Sequence, residues 1–429
     1  VPTPPPTKRA STRIACATHS APVLRAELEA LGWGGEGMEF QEEHPTYLQV
    51  GATLEQAMEL ALRLRTATQV MWQLARFRCP SPKALYKEVA AYPWEDLFHP
   101  PPHPDAYLTI RAATDTPTID NQMYPALVVK DAICDRMVKK TGARPDAGPE
   151  RRGIVLSLYW KDDRAALFLN INAQSLSNRG YRHLPGAAPM RETLAAATLL
   201  AAGYDGSTPL VNPMCGSGTL AIESALIATN RAPGLLRPDY AITKTNWDIN
   251  DLWQSTRARV KKEGARPSGL PLPPPAGEGR GEGSSTYPTS SSSYSPPASS
   301  SPHPIIATDH DPMALHAARK NAQAAGVEHL IKFIECDFRQ TPIPRAPGHI
   351  ILNPEYGERM GDAAELEATY AAIGDFFKQS CPGWTGHVFT GSPALAKCIG
   401  LKPARKRPFM NGPIECRLLT FELYTGSNR

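Results

Sequence analysis

The sequence predicts an α/β protein with a doubly wound parallel sheet in its carboxy-terminal part, preceded by smaller α/β units. Apolar strand-length runs alternate with helix-length amphipathic stretches along most of the 429 residues. A glycine-rich turn, Val211-Asn-Pro-Met-Cys-Gly-Ser-Gly-Thr-Leu220, lies between one such strand and the following helix. A chain of this length calls for two or three domains. Its hydrophobic share of 41% supplies cores for them.

Residues 1–10 are proline-rich, lack an apolar signal core and read as a tail. Arg13 to Ala17 reads as a strand and Ala21 to Leu31 as a helix, with Val23, Leu24, Leu28 and Leu31 on one face and Gly32 as its stop. Strand 47–50 and a helix from Leu54 to about Ala67 complete a first unit over residues 11–70. A second unit, 71–172, contains helix 82–92, strand 106–113, helix 124–140 and a hairpin of strands 154–160 and 165–170 turned by Lys161-Asp-Asp-Arg164. Helix 124–140 is expected to turn Leu127, Ile133, Cys134 and Met137 inward and ends in Lys139-Lys140, which suits a helix dipole.

The third unit, 173–429, opens with the Ala/Leu-rich helix 192–202. Strand 209–211, helix 218–229, strand 305–308, helix 312–325, strands 331–335 and 350–352, helix 363–379 and strand 387–390 follow. Alternation of this period implies the parallel sheet. Asn411-Gly412 marks a turn between Lys406–Phe409 and Ile414–Leu423, so an antiparallel strand closes it. Residues 264–304, rich in Gly, Pro and Ser, carry too little apolar surface to offset their ordering entropy and are expected to be a disordered insertion.

Composition narrows the function. A net charge of +4 is compatible with a nucleic-acid partner without demanding one. The eight cysteines form no CxxC pair, which argues against a zinc knuckle or a redox motif and suits a cytoplasmic protein; no metal is expected. No stretch approaches the roughly 18 apolar residues of a membrane span.

Three segments carry chemistry. In the glycine turn, Gly216 and Gly218 remove side chains where a ligand must approach the backbone, and the free amides of the next helix can meet a negative group. That group is pyrophosphate in a dinucleotide enzyme and a cofactor carboxylate in a methyltransferase; GxG without the third glycine argues against the former. Asn212, Pro213, Cys215, Gly216, Gly218 and Thr219 are therefore candidate cofactor contacts. Asp309, ending strand 305–308, is the first choice for ribose hydroxyls; Asp311 fits the same task or a cap on the helix at Pro312. Asp337 suits an adenine amino group or a simple turn.

The third segment is Ile350-Ile-Leu-Asn-Pro-Glu-Tyr-Gly-Glu-Arg359. A strand delivers Asn353 and Pro354 to the carboxyl edge of the sheet. An exocyclic base amine is a poor nucleophile because its lone pair is delocalised into the ring. The Asn353 side-chain carbonyl and the Pro354 backbone carbonyl can hold its hydrogens and aim the lone pair at a methyl donor, and Tyr356 offers a face for the flipped base.

These residues resemble the bacterial THUMP-containing 23S rRNA guanine-N2 methyltransferases. The resemblance extends to Arg179-Gly-Tyr-Arg182, Arg191-Glu-Thr-Leu-Ala195, Arg231-Ala-Pro-Gly234, Asn411-Gly-Pro413 and Pro125-Ala-Leu-Val-Val-Lys-Asp-Ala132. It implies a ferredoxin-like unit, a THUMP RNA-binding domain and a Rossmann-like class I methyltransferase domain. S-adenosyl-L-methionine is the implied cofactor and 23S rRNA or its precursor particle the implied partner. Glu192 and Thr193 would belong to an extra helix of the cofactor pocket. Two departures stand out: the family usually has Asp at position 212, and it reads Asn-Pro-Pro-Tyr where Glu355 stands here. Glu355 is expected to accept from the N1–H and amino edge of guanine. Arg179, Arg182, Lys139 and Lys140 head the expected RNA contacts, with Arg151, Arg152 and the Lys402–Arg407 run behind them; each also fits a solvated surface charge. A transfer-RNA guanine methyltransferase, a DNA amino-methyltransferase and a non-catalytic RNA-binding or ribosome-assembly protein stay open as alternatives. A dehydrogenase fits least, for want of the glycine pattern and a catalytic His or Lys.

Overall fold

The computed structural model describes residues 8–119, 121, 123–184, 190–264, 303–356 and 363–424. The tail residues 1–7 and nearly all of the expected insertion lie outside this set.

The first half runs β1 (Ala10–Cys16), α1 (Ala21–Ala30), β2 (Phe40–His44), β3 (Tyr47–Ala52), α2 (Leu54–Arg63), β4 (Ala67–Arg78), α3 (Pro82–Ala91), α4 (Trp94–Leu97), β5 (Tyr107–Asp115), α5 (Tyr124–Thr141), β6 (Asp146–Ala147), β7 (Ile154–Lys161) and β8 (Arg164–Asn170). All eight strands join one sheet in the order β2-β3-β1-β4-β8-β7-β5-β6. β4 is the hub, pairing antiparallel with β1 on one side and β8 on the other. The expected boundary at residues 70 and 71 therefore falls inside a strand, and the first two units share a sheet. The helix starting at Leu54 has a capping box between Thr53 and Gln56 and stops at Arg63, since the chain must extend again by Ala67. In α5, Ile133, Cys134 and Met137 are buried as expected, whereas Leu127 is 50% exposed. Leu31, expected on the inner face of the first helix, lies past its end and is 39% exposed.

The second half runs α6 (Glu192–Ala202), β9 (Leu210–Pro213), α7 (Thr219–Ala228), α8 (Asn250–Gly264), β10 (Ile305–Asp309), α9 (Pro312–Ala324), β11 (Ile331–Glu335), β12 (His349–Leu352), α10 (Ala363–Ser380), β13 (Thr385–Thr390), α11 (Pro393–Cys398), β14 (Arg405–Asn411) and β15 (Ile414–Glu422). The sheet order is β11-β10-β9-β12-β13-β15-β14. β9 to β13 are mutually parallel, and the β14–β15 hairpin adds antiparallel to β13, leaving β14 at the edge. The chain builds outward from β9 to β11 and then reverses through β12 and β13. The switch point thus lies between β9 and β12, where such sheets open a crevice beyond their carboxyl ends.

Three large clusters form the core, one under the first sheet and one on each face of the second, and they do not divide at residue 173. Ala232, Tyr240, Ile242, Ile249, Trp253 and Val260 belong to the core under the first sheet. α8 packs along α2, so the stretch between α7 and β10 leaves its own domain and covers its neighbour. Val23 of α1 crosses the other way into the core of the second sheet.

Candidate functional site

Strand register sets the site. β9 pairs with β10 through Pro213–Thr308 and with β12 through Val211–Ile350, so the three strands end on one edge. Beyond β9 the backbone turns sharply, with φ of +53° at Met214, +53° at Gly216 and +82° at Gly218. The two glycines serve different ends. A Cβ at Gly218 would come within 2.9 Å of Ala318 Cβ, so that glycine lets the start of α7 approach α9. At Gly216 a Cβ would meet nothing within 4 Å, which leaves the turn open towards the crevice.

Asp309 ends β10, 8% exposed. Its Oδ2 accepts from the Gly216 amide at 2.8 Å and its Oδ1 from the Asp311 amide at 3.0 Å. The carboxylate thus pins the glycine turn and keeps lone pairs for a ribose. Asp311 is the N-cap of α9, accepting from Met313 N at 2.8 Å; the capping alternative is realised and the side chain is exposed. Asp337 makes the turn its sequence allowed, capping the short helical turn 338–340, and takes a bidentate pair of 2.7 Å hydrogen bonds from Arg339. That guanidinium holds its carboxyl down at about 2.

On the other flank, Glu192 opens α6 and accepts from Arg182 Nε at 3.2 Å. Burial raises its pKa, against the pull of Arg182. Arg182 also donates to Met190 O and Thr219 Oγ1, so it links α6 to the first residue of α7. Thr193 bonds Ser177 Oγ at 2.8 Å. Cys215 is buried, and its amide donates to Thr308 O at 2.9 Å. Burial pushes its thiol up, so it is an uncharged wall rather than a nucleophile.

Asn212 donates from Nδ2 to Ile351 O at 2.8 Å, tying β9 to β12 where their ladder ends. A carboxylate could not make this donation, which gives the Asn at this position a physical reason. Asn353 follows β12 at the same edge. Pro354 is buried, while Glu355 is exposed and its carbonyl accepts from Tyr370 Oη at 3.3 Å. The Tyr356 ring sits on Phe389, with centroids 6.4 Å apart, and against Gly391, where a Cβ would come within 2.8 Å of it. Asn411 Nδ2 donates to its hydroxyl at 2.9 Å. Gly391 and Tyr370 were missed by sequence reasoning; Asn411 was read only as a turn, since nothing local links it to a loop 55 residues away.

Three polar atoms test whether the residues fit a cofactor and an amine-bearing base. Asn212 Oδ1, Asn353 Oδ1 and Arg182 Nη1 are buried without a hydrogen-bond partner among the described residues. They are three of nine such atoms among the described residues, and what sets them apart is their place at the ends of β9 and β12 and beside the start of α7. Two acceptors and one donor beside an open glycine turn fit a group carrying both an amine and a carboxylate.

Arg179 corrects the sequence reading. It is 0% exposed, pairs with the fully buried Glu223 at 3.4 Å and donates to Leu176 O and Arg65 O. No phosphate reaches it; its role is to join the two halves. Arg182 is likewise turned inward, with 15% side-chain exposure. Lys139 and Lys140 are exposed at the end of α5. No metal was expected, but His99, His103 and Asp105 bring ligand atoms within 4.8 Å of one another. Lys244 Nζ occupies the Asp105 side at 3.5 Å, placing a cation where an ion would need a free carboxylate.

Residues 179–420 match the family described as RMKL-like, methyltransferase domain. Among similar proteins, the ribosomal RNA large subunit methyltransferase K/L of Syntrophotalea carbinolica is 35% identical over 94% of this chain and 52% of its own length. That of Pseudomonas aeruginosa is 33% identical over 86% of this chain and 47% of its own length. The chain spans about half the length of these relatives. The solved structure of SMU.472, complexed with SAH, superposes with a TM-score of 0.76 at 22% identity, covering 98% of this chain and all 100% of that one. TrmN from Thermus thermophilus gives 0.62 at 19% identity, over 96% and 99%. At those identities the likeness is one of fold. The matched region runs from the Arg179 joint through α6 and the glycine turn into the closing hairpin, and so takes in the whole crevice: the chain belongs to the RMKL-like methyltransferase domain family.

Proposed function

We propose that the chain is an S-adenosyl-L-methionine-dependent RNA methyltransferase acting on an exocyclic base amine, guanine N2 of 23S rRNA in the cytoplasm. The observation that carries this reading is Asn353 Oδ1, a buried acceptor without a partner among the described residues, just past the end of β12, which pairs with the strand leading into the open glycine turn. Among those residues no helix is long and apolar enough to cross a membrane.

In this reading the α7 amides and Arg182 hold the amino-acid end of the cofactor, and Asp309 holds its ribose. The bound cofactor supplies an electrophilic methyl group. Asn353 Oδ1 and the Pro354 carbonyl accept the two amine hydrogens, which holds the nitrogen lone pair in line with that methyl. Tyr356, fixed by Asn411 and Phe389, gives the base a stacking surface. Once the nitrogen has four bonds its acidity rises steeply, and the proton leaves to solvent or to an acceptor nearby.

The test is methyl transfer to unmodified 23S and transfer RNA, followed by nucleoside analysis. N2-methylguanosine in 23S RNA is the expected product, and Asn353→Ala should lower kcat by about 10²-fold, as for removal of one preorganised polar contact to a transition state. Cofactor binding with no transfer to any RNA would instead support the non-catalytic alternative.

A further inference from the structure

On β14, alternate residues share a face, so Arg405, Arg407, Phe409 and Asn411 form one row. The row ends at the proposed base site. Asn411 holds the Tyr356 hydroxyl, and Phe409, 1% exposed, packs on Phe389 at 6.1 Å. From Asn411 back to Arg405 is six residues of strand, about 20 Å. There the row opens into a cavity of about 970 Å³. Its far wall is the start of α1 with His19 and Arg25, and the β2–β3 turn at His44.

Charge is unbalanced across this cleft. Arg25 is held by Glu29 and Glu43 on its own wall. Arg405, Lys406 and Arg407 make no ion pair or side-chain hydrogen bond among the described residues, although Arg407 is half-buried. Burial and then the neighbouring Arg405 both disfavour its charged form, a strain that an anion between them would relieve. Between the cations the lining is apolar, with Val23, Leu48 and Pro408. Cations above an apolar floor, about 20 Å along β14 from the Tyr356 platform, match the needs of a single nucleic-acid strand.

We propose that the cleft between α1 and β14 holds the phosphate backbone of the RNA strand next to the target nucleotide, with Arg405 and Arg407 as its contacts. The inference rests on the proposed RNA methyltransferase function and adds the path of the substrate. The cleft is lined from both halves of the molecule, β14 on one side and α1 with the β2–β3 turn on the other.

The experiment compares the full chain with Arg405→Gln/Arg407→Gln and with the charge-keeping Arg405→Lys/Arg407→Lys, using unmodified 23S RNA transcript over a series of salt concentrations. In the Gln pair, the RNA dissociation constant and KM should rise about tenfold. The slope of log affinity against log salt should shrink by about 1.4, the counterions of two single-strand phosphates. The Lys pair should keep most of the slope, and both should bind S-adenosylhomocysteine as the parent does, which separates lost contacts from lost folding. If the parent methylates the RNA and the Gln pair keeps its KM and slope, the cleft assignment is wrong and the function stands. If the parent neither binds nor methylates RNA, both are wrong.

Discussion

Glu355 occupies the turn between Pro354 and Tyr356 with an exposed carboxylate that no hydrogen bond or ion pair holds among the described residues. Its backbone does the fixed work, since the carbonyl accepts from Tyr370, which in turn meets Thr390 Oγ1 at 2.8 Å. Proline at this position would keep that carbonyl, so Glu355→Pro removes the carboxylate and leaves the Tyr370 bond. If the carboxylate receives the guanine edge, Glu355→Pro and Glu355→Gln should each lower transfer to guanine by about tenfold, the value of one hydrogen bond to a charged group. Equal turnover in all three proteins would show that the carboxylate plays no part. The single-residue level was the most legible in the sequence where chemistry needs a residue type at a strand end: Asn353, Gly216, Gly218 and Asp309 all reach one sheet edge. Arg179 was misread because a charge written in sequence carries no sign of its burial. Its partner Glu223 lies 44 residues away inside an apolar helix.

At the level of elements, the joint between the halves is polar. Arg179 meets Glu223 of α7, Tyr181 donates to the same carboxylate at 3.1 Å, and Arg65 donates to Arg231 O at 3.0 Å. Within the first half, Glu27 of α1 accepts from the Arg65 and Thr66 amides and so fixes the loop that carries Arg65 to this seam. A buried pair of this kind is costly to break from one side. Glu223→Ala should destabilise the protein by about 3–5 kcal/mol in denaturant unfolding, because Arg179 keeps its charge without a partner. A loss below about 1 kcal/mol would mean that water replaces the carboxylate there. Among the elements that sequence reasoning passed over, two were hidden for a physical reason. β4 is paired on both sides and bulged between Gln73 and Ala75, so its apolar residues do not alternate. α8 is strongly charged and buries only Trp253, Thr256 and Val260, a narrow stripe at helical spacing that could have been found.

For the whole molecule, stability depends on two histidines far from the crevice. His349 of β12 and His387 of β13 lie 3.1 Å apart, His387 fully buried against Thr420. Burial lowers the His349 pKa to about 4, with Asp205 pulling weakly the other way. Burial and then His349 lower that of His387. Both are neutral when folded, whereas the unfolded chain takes up protons below about pH 6.5. Stability is therefore complete above that pH and falls as pH drops towards 4, by about 3 kcal/mol for His349 alone. Unfolding midpoints at pH 7 and 5 should differ more for the parent than for His349→Gln; equal differences would remove His349 from the account. The fold class was readable because strand–helix alternation is local. The single eight-stranded sheet and the crossing of α8 were not, since both depend on long-range pairing.

Being the outermost strand of its sheet, β14 presents a row of free backbone amides and carbonyls to solvent, a template on which a second chain could grow. Pro408 breaks that row by withholding an amide, and three adjacent positive charges repel an identical neighbour before it can align. The run that would grip a polyanion therefore also disfavours edge-to-edge stacking of copies of the protein.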